Sequence, residues 1–301
     1  LAVTNDWALH DVRARLRRDL KPLALRDLSG RLTVYQPEGG WRIETHGLAF
    51  ATTDGLQWPG GDLQWRQQDA SDAQPQRQQL TATDMDLAAM GAVVSRLPLP
   101  EALLQQWQTL QPSGRVDSLQ ADWQGPWEAP QGFRVQARVR DFGVQPGRLP
   151  AGAGPGELAR PGVRGLNLRL QADAQGGKAE LDMSNGRWWL PGVWDDPELV
   201  LGGLKTALSW SRVQGQWQVR AREVRLFNAD VQARGDVTWT DGPGAGHLDL
   251  DLVAQRANLA RLSRYLPRVL DAEVRRYLAL ALQQGQARDV KVRIQGPADE
   301  L

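Results

Sequence analysis

The 301-residue sequence contains no cysteine. That excludes disulfides, thiolate metal sites and a cysteine nucleophile. It leaves the compartment open, because many periplasmic proteins also lack disulfides. Histidine is almost as scarce: His10, His46 and His247 stand apart, with no HxH or HExxH spacing, and read as surface or turn residues. No long apolar run is present. The longest ends at Val94, before Ser95-Arg96, whereas a helix crossing a bilayer needs about 20 apolar residues. Neither sign of charge dominates, with 36 Lys plus Arg against 35 Asp plus Glu and a net charge of +1. The arginines alternate with Gln, Asp and Glu instead of clustering, which argues against a nucleic-acid partner. Phe and Tyr are few, 4 and 3, beside 13 Trp. Trp suits a position with an apolar body and a wet edge. The chain starts at Leu1 with no initiator Met or signal segment, so it is expected to be a piece of a longer protein.

Catalytic and metal motifs are also missing. Asp249-Leu-Asp251 looks like a DxD pair, but Leu248, Leu250 and Leu252 alternate with the acids, which makes them the polar side of a strand. Asp84-Met-Asp86 has the same spacing and no further ligand. Gly152-Ala-Gly154-Pro-Gly156 lacks the Lys-Ser/Thr and the strand-to-helix frame of a phosphate loop, and no GxSxG elbow occurs. The expectation is no enzyme, no cofactor and no metal.

Period-two alternation fills the chain instead. Phe133-Arg-Val135-Gln-Ala137-Arg-Val139 puts apolar residues on one face, and Leu166-Asn-Leu168-Arg-Leu170 repeats the rule. So do Trp217-Gln-Val219-Arg-Ala221, Leu248 to Leu252, and Val290-Lys-Val292-Arg-Ile294. These predict half-buried antiparallel strands with one solvated face. Turn signals fall at Glu38-Gly39-Gly40, Gln175-Gly176-Gly177, Asn185-Gly186, Gln214-Gly215 and Asp241-Gly242. Helical spacing is confined to Leu87 to Leu97, Pro100 to Leu110, Arg256 to Leu266 and Leu270 to Gln284. Residues 4 to 20 fit a short helix or a strand. Residues 146 to 165, rich in Gly and Pro, predict a loop with no stable core of its own.

The chain also repeats itself. Leu28 to Ile43 lines up with Leu204 to Val219, and Gly61-Asp62-Leu63-Gln-Trp65 with Gly235-Asp236-Val237-Thr-Trp239. Ser95-Arg96-Leu97-Pro98 matches Ser263 to Pro267, and Leu119 to Pro126 matches Val290 to Pro297. Matches kept in register and in order predict a repeat architecture. The expected division is 1–130 as a first β unit with a helix pair near 87–110, then 131–203 as intervening strands around the 146–165 loop. A second unit follows over 204–301, with its helix pair near 256–284.

An antiparallel sheet with one apolar face must cover that face. The roughly dozen strands expected here would span about 55–60 Å at the usual 4.8 Å spacing, too far for four short helices to shield. Two solutions stay open. A long curved meander sheet could form an open groove completed by an apolar ligand, each buried methylene contributing about 0.8 kcal/mol. A β-sandwich could instead bury its two halves together, as a Trp-rich glycan-binding or scaffold module without lipid transport. Trp188 and Trp189 are adjacent, so one must point outward, and they are the glycan candidates. For a groove, the inward residues are Leu32, Val34, Trp41, Ile43, Leu63, Trp65, Leu119, Trp123, Phe133, Val135, Val139, Leu166, Leu168, Leu170 and Leu181. The rest are Leu208, Trp210, Trp217, Val219, Val237, Trp239, Leu248, Leu250, Leu252, Val290, Val292 and Ile294.

Several segments carry a family resemblance. Pro22 to Leu32, Leu97-Pro98-Leu-Pro100, Gly114 to Leu119, Gly176 to Leu181, Trp189 to Trp194 and Phe227 to Asp230 resemble the YhdP branch of the AsmA-like, TamB-related proteins. So do Tyr265-Leu266-Pro267 and Arg275 to Gly285. Trp194 stands where relatives usually have Phe. The resemblance implies a fold of repeating β-grooves and an internal periplasmic segment of a large Gram-negative protein anchored in the inner membrane. It further implies phospholipid as ligand, carried between inner and outer membranes, with no catalytic residues.

Overall fold

The computed structural model describes residues 2–15, 22–55, 57, 58, 60–72, 74–94, 96, 101–126 and 130–298. The chain is mainly β. Its strands are β1 (Ala2–Ala14), β2 (Leu23–Tyr35), β3 (Gly40–Thr52), β4 (Gln57–Trp58), β5 (Asp62–Gln68) and β6 (Arg77–Asp86). They continue as β7 (Ser113–Gln124), β8 (Gln131–Val144), β9 (Gly162–Asp173), β10 (Gly176–Trp189), β11 (Glu198–Val213) and β12 (Gln216–Phe227). The last are β13 (Val231–Thr240), β14 (His247–Asn258), β15 (Gln286–Ala287) and β16 (Val290–Pro297). Helices α1 (Leu87–Val94) and α2 (Glu101–Leu110) join β6 to β7. A 3-10 helix (Leu259–Tyr265) and α3 (Ala272–Ala281) follow β14.

Strand neighbours follow chain order in one antiparallel sheet that does not close, which is the expected meander. No second sheet forms among the described residues. Contacts divide the chain into two compact units, 1–142 with 169–174, and 143–168 with 175–301.

Several expectations are corrected. Residues 4 to 14 are strand, paired with β2 from Ala2↔Tyr35 to Ala14↔Leu23; residues 16–20 lie outside the described set. The helix expected from Arg256 begins later, because Arg256 and Ala257 still pair with Gln232 and Val231. Asn258 then accepts the Ala260 N–H and starts a 3-10 turn, not an α-helix. Asp271 caps α3 by accepting from Glu273 and Val274 N–H. Asn185-Gly186 is no turn. Pairing with β11 continues on both sides of it, Ser184↔Gly203 and Gly186↔Leu201, with Asn185 at φ 56. A left-handed Asn inside a strand makes a kink. The 146–165 loop ends at Pro161, since β9 starts at Gly162. That loop is docked, Ala159 N–H donating to the Pro191 carbonyl at 3.1 Å. Ser95 and the Leu97–Pro100 step lie outside the described residues.

The two sides of the sheet differ chemically. One carries cross-strand polar pairs such as Arg31 Nε to Asp6 at 2.6 Å and Arg140 Nε to Asp117 at 2.8 Å. The Arg31 hydrogen bond holds the Asp6 carboxyl below its ordinary range. The other side is apolar. In the first unit its sealed part includes Leu25, Leu28, Trp58, Met85 and Val116; in the second it includes Met183, Leu199, Leu201, Leu204, Val224, Ala233 and Ala257.

Candidate functional site

Register turns the apolar alternation into rows. In the first unit Val34, Ile43, Trp65, Leu80 and Ala121 are successive cross-strand partners from β2 to β7. The next row is Leu32, Thr45, Leu63, Ala82 and Leu119; the row on the other side is Trp41, Gln67, Gln78 and Trp123. In the second unit Ala179, Leu208, Ala221, Val237, Leu250 and Ile294 form one row from β10 to β16. Beside it runs Gly177, Trp210, Val219, Trp239, Leu248 and Gly296. Leu252 pairs with Val292, Ala254 with Val290, Leu181 with Thr206, and Trp217 with Arg212.

Of the inward residues named from the sequence, Trp123, Val139 and Leu166 are buried, and Trp41, Phe133 and Val290 are exposed. All the others are half-buried, including Val135, Leu168 and Leu170. A closed core would bury most of them fully. The rows are therefore apolar surface that is only partly covered. Thr45, Gln67, Gln78 and Thr206 interrupt them.

The indoles follow the same logic twice. Trp65 Nε1 donates to Gln78 Oε1 at 3.0 Å, and Gln78 Nε2 donates to the Gly125 carbonyl at 3.2 Å. Trp239, the matching residue, donates from Nε1 to the Ala245 carbonyl at 2.8 Å. Each ring body joins an apolar row while its N–H reaches the hairpin end. Trp188 and Trp189, the glycan candidates, are both half-buried and pair with Leu199 and Glu198. The histidines sit on strands with exposed side chains, and His10 Nδ1 meets Asp27 at 2.9 Å.

One end of the second unit's apolar face is closed by a strap. Tyr265, in the 3-10 helix, donates to Asp230 at 2.9 Å and accepts from Asn228 at 3.0 Å at the β12–β13 turn. Burial pushes its phenol above the ordinary value. Its ring meets Trp194 edge-on, centroids 6.2 Å apart. Arg268 N–H donates to the Val193 carbonyl at 2.9 Å. Arg264 reaches Asp196 at 2.7 Å and Arg275 reaches Asp195 at 2.8 Å. Near the same strand ends the apolar residues are sealed, with Leu201 at 0% and Met183 at 2% exposure. Toward the opposite strand ends the half-buried rows begin.

A model of the YhdP protein family matches residues 2–301. The chain belongs to the YhdP family. A curated relative, the intermembrane phospholipid transporter YhdP of Escherichia coli (strain K12), is 24% identical over 275 residues. That match covers 88% of this chain and 20% of the relative, so the chain spans about a fifth of the relative's length. No solved structure matches this YhdP-family chain. No described helix is long and apolar enough to cross a membrane.

A cleft of the second unit, about 1040 Å³, opens on the polar side and is separate from the rows. Asp182, Lys205, Arg225, Arg234, Asp236 and Asp251 line it with mixed charge. Phe227 stands there 52% exposed, its ring laid against Gly202 and Gly203, where any Cβ would clash. An aromatic covering a glycine pair in a strand accounts for that exposure.

Sequence reasoning missed Leu80, Met183, Leu199, Leu201 and Leu204. Leu80-Thr-Ala82 carries the alternation signal, only weakly. Met183 and Leu204 continue the phase of Leu181 and Leu208, whereas Leu199 and Leu201 sit beyond a kink that reverses it.

Proposed function

We propose that this chain is a non-catalytic segment of a periplasm-spanning lipid-transfer protein. Its inward rows, the residues from Leu32 to Ile294 named above, hold phospholipid acyl chains between the inner and outer membranes. The parent protein is anchored in the inner membrane outside these residues, and its work sustains the outer-membrane barrier. Residues 1–130 and 204–301 act as two copies of one groove unit, with 131–203 as added strands between them.

The observation that carries this reading is the partial exposure of row after row of large apolar side chains in each unit. Leaving such a side chain in water instead of burying it forfeits about 1.5–3 kcal/mol, so a long row calls for an occupant. Hydrocarbon tails suit rows of Leu, Val and Trp that offer few hydrogen-bond partners. The name of the Escherichia coli relative adds the ligand class. Two matched clamps support the repeat: Gly47 N–H donates to Asp62 at 2.7 Å, and Glu223 N–H donates to Asp236 at 2.9 Å.

Native mass spectrometry and solvent extraction of the purified chain, before and after incubation with liposomes, test the proposal. Bound phospholipid is expected. A chain that stays lipid-free after incubation contradicts it.

A further inference from the structure

At the end of the second unit's face that the strap leaves open, the last inward residues of three successive strands are chemically distinct. Arg212 on β11 and Trp217 on β12 are direct cross-strand partners, and the guanidinium carbon lies 5.2 Å from the Trp217 ring centroid. Asp241, just past β13, donates its backbone N–H to the Trp217 carbonyl at 2.7 Å. The strand pleat sets Asp241 on the side of Trp239, two residues earlier. Behind this trio runs the Trp210, Val219, Trp239 and Leu248 row. Arg212 and Asp241 are exposed, and among the described residues neither has an ion-pair partner.

The first unit supplies an internal control. Gln36, Trp41 and Gln67 hold the matching positions: 212 − 36 and 217 − 41 give 176, and 241 − 67 gives 174. Trp41 and Gln67 are again cross-strand partners. One unit thus ends its apolar rows in amide, indole, amide, and the other in cation, indole, anion.

Strands two apart put Arg212 and Asp241 backbones about 10 Å from each other, with side chains able to converge over the indole. A guanidinium takes a phosphate through paired charge-assisted hydrogen bonds. A carboxylate beside an aromatic ring takes an ammonium. A headgroup carrying only negative charge would satisfy Arg212 and be repelled by Asp241.

We infer that Arg212, Trp217 and Asp241 form a headgroup site that selects zwitterionic, phosphoethanolamine-type phospholipids over purely anionic ones. The site rests on the acyl-chain reading proposed above, and the Gln36, Trp41 and Gln67 end of the first unit lacks this selectivity.

The test loads the whole chain from vesicles of equal phosphatidylethanolamine and phosphatidylglycerol, then quantifies extracted lipid by mass spectrometry. The unmodified chain is expected to enrich phosphatidylethanolamine about threefold, the scale of exposed ion pairs. Arg212→Gln with Asp241→Gln, which reproduces the first unit's end, returns the ratio to that of the vesicles with total lipid unchanged. Asp241→Asn alone moves it toward phosphatidylglycerol. Gln already occupies the matching positions in the first unit, so the variants keep the fold, which circular dichroism checks. Lipid bound by the unmodified chain at the vesicle ratio, or enrichment that survives the double substitution, overturns the headgroup site alone. No bound lipid in any form overturns both the site and the acyl-chain reading.

Discussion

Leu201 and Leu250 are both inward leucines of the second unit with opposite surroundings. Leu201 is 0% exposed, while Leu250 is half-buried between Val237 and Ile294. Leu201→Ala should cost about 2.5–5 kcal/mol in urea unfolding, the range for a leucine removed from a sealed core. Leu250→Asp should leave that unfolding curve nearly in place and lower lipid loading instead. A Leu250→Asp chain that unfolds would make Leu250 an ordinary core position. Alternation made Leu250 legible, since acids flank it on both sides. It could not reveal Leu201, because the inward phase reverses between them. Gly202 and Gly203 both turn their missing Cβ toward Phe227, and the missing Cβ of Gly186 points at the Met183 sulfur. Two consecutive residues facing one way break a period of two, and nothing in the residue types marks where.

At the scale of elements, the sequence distinguished strands from helices well, because most strands keep a period of two over several residues. Helix boundaries were less legible. The Leu259, Leu262 and Leu266 spacing suits either an α-helix or a 3-10 turn, and only the β14 ladder extending through Ala257 decides for the shorter element. The strap itself was invisible, because its bonds join residues far apart in the chain. Arg264 and Arg275 reach Asp196 and Asp195 across the β10–β11 loop, and Arg268 lies 4.0 Å from Asp195. Backbone and ring contacts hold the 3-10 helix as well, whereas α3 has no buried residue and exposes Tyr277 at 70%. Asp195 is thus the charged tether of α3, and Asp196 that of the 3-10 helix before it. Asp195→Asn with Asp196→Asn should raise amide hydrogen exchange across 272–281 about tenfold or more. Exchange in β11 to β13 should stay unchanged. Equal protection of α3 in both proteins would mean that the ion pairs are ornamental, as many exposed pairs are.

For the whole molecule, the decisive property is an antiparallel sheet that does not close, and so keeps free edges. The sequence matches keep their order at similar offsets, and Asp62 and Asp236 make matching backbone contacts in the two units. Among the described residues β1 has one partner, β2. Its far side offers a row of backbone donors and acceptors, and Val3 and Leu9 are exposed on the apolar face. Unpaired edges of this length recruit further strands, and natural sheets blunt them with inward charges. Val3 and Leu9 provide none. The isolated chain is therefore expected to self-associate through β1 at tens of micromolar, seen as a rise in weight-average mass with concentration in analytical ultracentrifugation. Val3→Lys with Leu9→Lys puts two charges on the edge strand, each opposite a residue of β2 that stays in register. That variant should sediment as a monomer with unchanged strand content. Self-association that persists in it would assign the contact elsewhere, and a monomeric unmodified chain would mean that β1 is protected without a partner.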